Sequence, residues 1–164
     1  MTSPVVADDI VAGAKKYLLA QPDVVAAVSS YLIGGQPTPG IFEYRTWATI
    51  EGTGTTCIVL ASDGGWAAAN LSNTLRFPRL TVNIWADPIR DAGNNVADPT
   101  EVMRRTYAVF RVVDPYFHLV AGPDVRMGDL RVITSTRLTE PTYVQVSDGD
   151  GLVRCQITYA VTEG

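Results

Sequence analysis

Residue types able to do chemistry are sparse in this chain. It holds one histidine, His118, and two cysteines, Cys57 and Cys155. A Ser/His/Asp or Cys/His nucleophilic site would have to be built on His118, with Ser135 or Ser62 as the candidate hydroxyl. The setting Tyr116-Phe117-His118-Leu119 is aromatic and points to a half-buried core or interface histidine instead. Cys57 and Cys155 stand in strand-like runs, outside any CxxC or zinc-ligand spacing, and read as buried free thiols. So few nitrogen and sulfur ligands predict no transition-metal site. Asp148-Gly149-Asp150-Gly151 resembles the start of a calcium loop, but the closing glutamate is missing and Val153, Cys155, Ile157 and Tyr159 follow. Turn-favouring Asp and Gly explain that segment without an ion. Gly52-Thr53-Gly54-Thr55-Thr56-Cys57 is an incomplete dinucleotide fingerprint, and it precedes a strand rather than opening a helix. Asp8 and Asp9 form a carboxylate pair in sequence only, and helix-start electrostatics accounts for them. These residues predict no catalytic group, no metal and no cofactor.

Composition narrows the class further. At 164 residues one domain is expected, able to bury roughly 70% of the surface of its unfolded chain. Apolar content is 46% and charged content 18%, the latter below the usual ~25%. A shortage of charge fits surface buried against partners, although a Thr, Ser, Asn and Gln surface would serve as well. Net charge is −4, without the basic stripe of a sequence-reading nucleic-acid binder. All of the basic residues except Lys15 and Lys16 are Arg. Arginine is favoured in planar interface pairing, and genome base composition would produce the same bias. The chain shows no signal-peptide pattern and no run near the ~20 apolar residues of a membrane span. It reads as a soluble, cytoplasmically made protein.

The elements that must position these residues centre on one strand. From Leu80 the side chains alternate, Leu80, Val82, Ile84 and Ala86 against Thr81, Asn83 and Trp85, the pattern of a half-buried strand. Pro78 is expected to start it and Pro88 to end it. A polar loop follows, and Asp98-Pro99-Thr100-Glu101 is a capping box opening a helix over 99–113. Val102, Thr106, Val109, Phe110 and Val113 share one face of that helix, and Glu101 and Arg105 form an i,i+4 pair. Asp114-Pro115 should end the main helix, with 116–120 continuing as a short turn. Upstream, Ser3-Pro4 opens a first helix with Val6, Ile10, Ala14, Tyr17 and Leu18 toward the core. Asp23 caps a short second helix over 24–30, and 34–40 is a turn or loop by composition. Strands are expected over 41–47, 57–61, 131–138, 142–146 and 152–161, with 62–76 irregular and 147–151 a hairpin loop. This order favours α+β: a mixed, largely antiparallel sheet flanked by helices.

Several short pieces recur in collinear order: Gly64-Gly65-Trp66, Asn73-Thr74, Phe77-Pro78-Arg79-Leu80, Ala86-Asp87-Pro88 with Arg90-Asp91, Asp114-Pro115 with His118, Arg131-Val132 with Ser135, Glu140-Pro141, and Asp148 to Arg154. In these the chain resembles the tail terminator proteins of long-tailed, siphovirus-type phages infecting Actinobacteria, over about residues 60–161. Asn83 departs from the pattern, which would place an acidic residue there. The resemblance implies a structural virion protein of the tail and neck, assembled in the host cytoplasm. It implies a homo-oligomeric, hexameric ring at the head-proximal end of the tail tube that stops tube polymerisation and presents a surface for head-tail joining. The implied partners are the tail tube protein and a head-side connector protein. DNA would pass through the ring without sequence-specific binding, and no membrane is involved. Such proteins have no catalytic residues to carry over. The candidate interface residues are Arg90, Asp91, Asn94, Asn95, Trp66 and Arg76. The alternatives are a head-completion or neck connector adaptor, and a small hydrolase using His118 with Ser135 or Ser62.

The loop over 88–97 is longer than the ~4–6 residues of a typical connection. It carries Arg90, Asp91, Asn94 and Asn95, with Gly93 allowing a bend. It is expected to contact a neighbouring subunit or line the ring. Replacing residues 89–96 with a short Gly/Ser linker should leave thermal unfolding unchanged, because Asp98 still caps the helix, while complementation of a phage lacking the gene fails. Normal virion yield from a well-folded loop variant would reduce the loop to a connection.

Overall fold

A computed structural model of the chain describes residues 7–43, 56–62, 65–67, 76–87, 92–93, 95, 99–122, 125–128, 130–145 and 153–163. Among them are the helices α1 (Ala7–Leu19), α2 (Pro22–Ala27) and α3 (Pro99–Phe117). The strands are β1 (Ser30–Ile33), β2 (Gln36–Pro39), β3 (Ile41–Glu43), β4 (Thr56–Ala61), β5 (Gly65–Ala67), β6 (Arg76–Ala86), β7 (Val120–Ala121), β8 (Arg126–Met127), β9 (Leu130–Arg137), β10 (Thr142–Gln145) and β11 (Val153–Glu163). The main sheet runs β3-β4-β6-β11-β9-β7, with β5 beside β6, β10 beside β11 and β8 beside β9. Among the described strands, β3 with β4 is the one parallel pair. The fold is α+β, as the element order predicts.

β6 and β11 are the long central strands, antiparallel, with Ala86 opposite Val153, Ile84 opposite Cys155, Val82 opposite Ile157 and Leu80 opposite Tyr159. Because strand side chains alternate, this register places two apolar sets on one face. Leu80, Val82, Ile84, Cys155, Ile157 and Tyr159 are all fully buried there. Ile58 and Leu60 of β4 extend the face, and Ile10, Ala14 and Leu18 of α1 with Val109, Phe110, Val113 and Phe117 of α3 cover it. Burying each large aliphatic stabilises by roughly 1.5–3 kcal/mol. The other face is polar: Asn83 on β6 and Gln156 and Thr158 on β11 are half-buried. Near β3 it carries a small second cluster of Tyr31, Phe42, Cys57 and Val59, against which Trp85 packs.

Several elements differ from expectation. β6 begins at Arg76, so Pro78 lies inside the strand, opposite Gly65. The ladder to β11 pairs Arg79 with Ala160 and resumes with Arg76 opposite Glu163, passing the proline that cannot donate. Residues 65–67, expected to be irregular, form β5. The segment 34–40, expected to be a turn or loop, is a turn only at Gly34 and Gly35, whose φ of 56 and 76 make a two-residue turn of the primed type, and β2 then returns along β1. Two prolines in β2 hide it from propensity. Asp23 is not the N-cap of α2, since Gln21 holds that position and Pro22 opens the helix, but its carboxylate accepts from the first-turn Val24 N–H at 2.9 Å. Helix α2 stops at Ala27, since Ser29 already bonds to β4 and to Gly40. Glu101 pairs with Arg104 at 3.4 Å rather than with Arg105.

Helix α3 also runs past Asp114-Pro115 to Phe117, although a proline in a helix interior costs about 3 kcal/mol. Aromatic anchoring offsets that cost. Phe117 is fully buried, its ring 5.3 Å from Tyr159 and 6.0 Å from Tyr17. The Tyr116 hydroxyl donates to Asp23 at 2.7 Å. Leu119 then takes φ 55, an αL turn of the kind that ends helices, and leads into β7.

α1 crosses the β8–β9 turn through glycine. A Cβ on Gly13 would sit 2.6 Å from the Met127 carbonyl oxygen, and Gly128 meets it from the other side with φ 63. Gly13→Ala should therefore lower stability by about 1–3 kcal/mol, in the range of overpacking, despite alanine's better helix propensity. Urea unfolding checks this against Ala12→Gly, and an unchanged midpoint for Gly13→Ala would contradict the close approach.

Candidate interaction surfaces

A polar cluster lies where the end of α3 meets β9 and β11. The Arg137 guanidinium donates to Asp114 at 2.9 Å and to Glu140 at 3.5 Å. The Tyr159 hydroxyl donates to the other Asp114 oxygen at 2.8 Å, and the Arg137 guanidinium lies 5.5 Å from the Phe110 ring centroid. Burial, reinforced by the bond to Asp114, pushes Tyr159 ionisation well up. The Asp114–Arg137 pair is largely shielded, at 17% and 21% exposure, and both partners have further bonds. Such a pair resists loss of one member more than it adds net stability. It ties the last turn of α3 to the sheet.

His118 is half-buried beside this cluster, and its Nδ1 accepts from the Arg137 backbone N–H at 3.1 Å. Asp114 therefore spends its oxygens on Arg137 and Tyr159, not on orienting the imidazole. Ser135 is fully buried, and its hydroxyl has no hydrogen-bond partner among the described residues. Ser62 donates to the Arg79 carbonyl at 2.8 Å. No serine–histidine hydrogen bond is made among the described residues, so the hydrolase alternative gains no geometry. No group of three or more His, Cys, Asp or Glu residues that could hold a metal occurs among them, and no helix is long and apolar enough to cross a membrane.

Of the candidate interface residues, Trp66 stands on β5 opposite Phe77, and Arg76 opens β6 opposite Ala67 and Glu163. Register brings these two to the same end of β6. Asn95 is exposed. Arg90, Asp91 and Asn94 lie outside the described residues, as do Asp98 and the segments 44–55 and 146–152. Two surfaces were missed by sequence reasoning. One is the β1–β2 hairpin, signalled only by Gly34-Gly35 between short runs. The other is an open groove of about 540 Å³ along the outer side of α3, with Met103, Tyr107 and Tyr143 among its walls. Its signal was present in the helix pattern, since Met103 and Tyr107 are large apolar residues at i,i+4 off the core stripe.

No known family model matches the chain, and no curated protein matches it in sequence. Among solved structures, a chain from the virion of a native gene transfer agent (GTA) particle is similar. The match covers 99% of this chain and 100% of that one, at a TM-score of 0.62 and 16% sequence identity. At that identity the likeness is one of fold.

Both thiols are free and buried, as expected. Burial pushes Cys57 up to about 12 and Cys155 to about 11, opposed by hydrogen bonds from Tyr31 and Tyr143 respectively. The native state thus keeps thiol protons that the unfolded chain loses above about pH 8.5. Stability is accordingly fully present below that value and falls as pH rises toward 11–12. Chemical unfolding between pH 8 and 11 should show this decline, shallower in Cys57→Ala, and native thiol titration at pH 8 should label neither cysteine within minutes. Rapid native labelling of both thiols would contradict the packing.

Proposed function

We propose that this chain is a structural virion protein of a tailed, phage-like particle, and specifically its tail terminator. In this role it forms a hexameric ring on the last tier of the tail tube, halts tube growth and offers its far side to a head-side connector. The observation that carries the proposal is the end-to-end likeness to a chain of a virion particle, at 99% and 100% coverage. A fold shared over both full lengths, with no large insertion to house a separate activity, fits a protein whose work is done by its surfaces. The collinear motifs of residues 60–161 add the finer assignment, which the structural likeness does not reach. The low charge content of 18% suits a subunit that buries much of its surface against neighbours.

A neck connector or head-completion adaptor is the second reading, because such proteins share size and ring symmetry. The two differ in which side fails when the protein is missing. Deleting the gene should give filled heads beside unattached tails of irregular, often excessive length, with complementation restoring both length and joining. Tails of normal length that merely fail to attach would favour the connector reading, and normal infectious particles would contradict both.

A further inference from the structure

The β1–β2 hairpin is a separate two-stranded sheet. Its base is held by the Tyr31 ring, 5.4 Å from Phe42, and by the Gly40 N–H donating to the Ser29 carbonyl. Its far end is exposed, Leu32 at 59% and Ile33 at 42%. Two strands alone are marginally stable in water, and adjacent residues on a strand point to opposite faces, so both faces of this arm end in an uncovered aliphatic. Residues 30–40 include no charged side chain. The free edge of β2 is one-sided in its chemistry: Pro37 and Pro39 stand opposite Leu32 and Ser30. Proline has no N–H, so at these positions the edge offers carbonyl acceptors and no donors.

The α3 groove has the complementary character. Met103, Tyr107, Ala108 and Tyr143 give it apolar walls, and Arg104 and Arg111 stand along it. Met103 and Tyr107 are 40% and 45% exposed. Guanidinium groups are pure donors, several per side chain. Glu101 engages one Arg104 nitrogen at 3.4 Å, which leaves other N–H groups of that fork available. Aliphatic tips thus match apolar walls, and an acceptor-only edge matches donor-only cations. The hairpin roots in the cluster on the outer face of the sheet, whereas α3 covers the opposite face.

We propose that the β1–β2 hairpin of one copy docks in the α3 groove of the next copy, Leu32 and Ile33 against Met103 and Tyr107, with Arg104 and Arg111 donating to the carbonyls of Pro37 and Pro39. Two different patches meeting in this way form a heterologous contact, the kind that closes into a ring. The proposal rests on the ring-forming reading above and names the surfaces that close the ring.

The test is crosslinking in tails isolated from particles carrying Leu32→Cys with Met103→Cys, using a short bismaleimide. Both substituted positions are exposed, and the native thiols are buried. The double variant should give a ladder of covalent multimers beyond the dimer, and each single variant only monomer. A terminal ring visible by microscopy, with no ladder from the double variant, would overturn the hairpin–groove contact and leave the ring standing. Dimers from Leu32→Cys alone would overturn it too, by showing arm against arm. Tails that contain this chain in no ring would instead remove the reading on which the proposal rests.

Discussion

The antiparallel pairing of β6 with β11 is the constraint on which the rest of the molecule depends. Its register puts Leu80, Val82 and Ile84 beside Tyr159, Ile157 and Cys155 on one face, and a slip of one residue would turn one of these two sets to the other side. Both strands are 11 residues long, and each carries two shorter partners along its outer edge. β4 and β5 share β6, while β9 and β10 share β11. The helices then have one continuous apolar surface to cover. Helix α3 is held to it at its far end by Phe117 and by the bonds from Arg137 and Tyr159 to Asp114. With the frame fixed in this way, the tip of the hairpin and the outer side of α3 can expose Leu32, Ile33, Met103 and Tyr107.

What was legible in the sequence follows from the same physics. β6, β11 and the inner stripe of α3 carry strong periodic patterns because each buries one face and exposes the other, so Val102, Thr106, Val109, Phe110 and Val113 were all correctly placed inward. Elements without such a face were missed. β2 has two prolines and no buried side chain, and β5, β7 and β8 are two or three residues long. Local rules failed where tertiary contacts outweighed them. Pro115 does not end α3 because buried aromatics hold its last turn, and Pro78 does not open β6 because the strand passes it and pairs again at Arg76. The candidate interface was less legible than the core. Surfaces that meet a partner leave no periodicity within one chain, and only Trp66, Arg76 and Asn95 of the expected set fall among the described residues.

The scarcity of chemistry and the architecture agree with one another. The lone histidine gives its Nδ1 to a backbone N–H, the two thiols are packed beneath tyrosine hydroxyls, and the best-formed carboxylate, Asp114, closes a structural bridge. Among the described residues, the surface includes apolar groups and arginine donors on α3, uncharged acceptors on the hairpin and a polar sheet face. These are materials for protein contacts. The hairpin and the outer side of α3 stand on opposite faces of the sheet, and the side chains they expose, Leu32 and Ile33 on one and Met103 and Tyr107 on the other, lie outside the buried core.

The most direct measurement is a reconstruction, by electron microscopy, of the neck of the particle that carries this chain. A tail terminator would appear there as six copies of the chain in one closed tier, between the last ring of the tail tube and the head-side connector. Density for the chain in any other tier, or a terminal tier built from a different protein, would contradict the proposal.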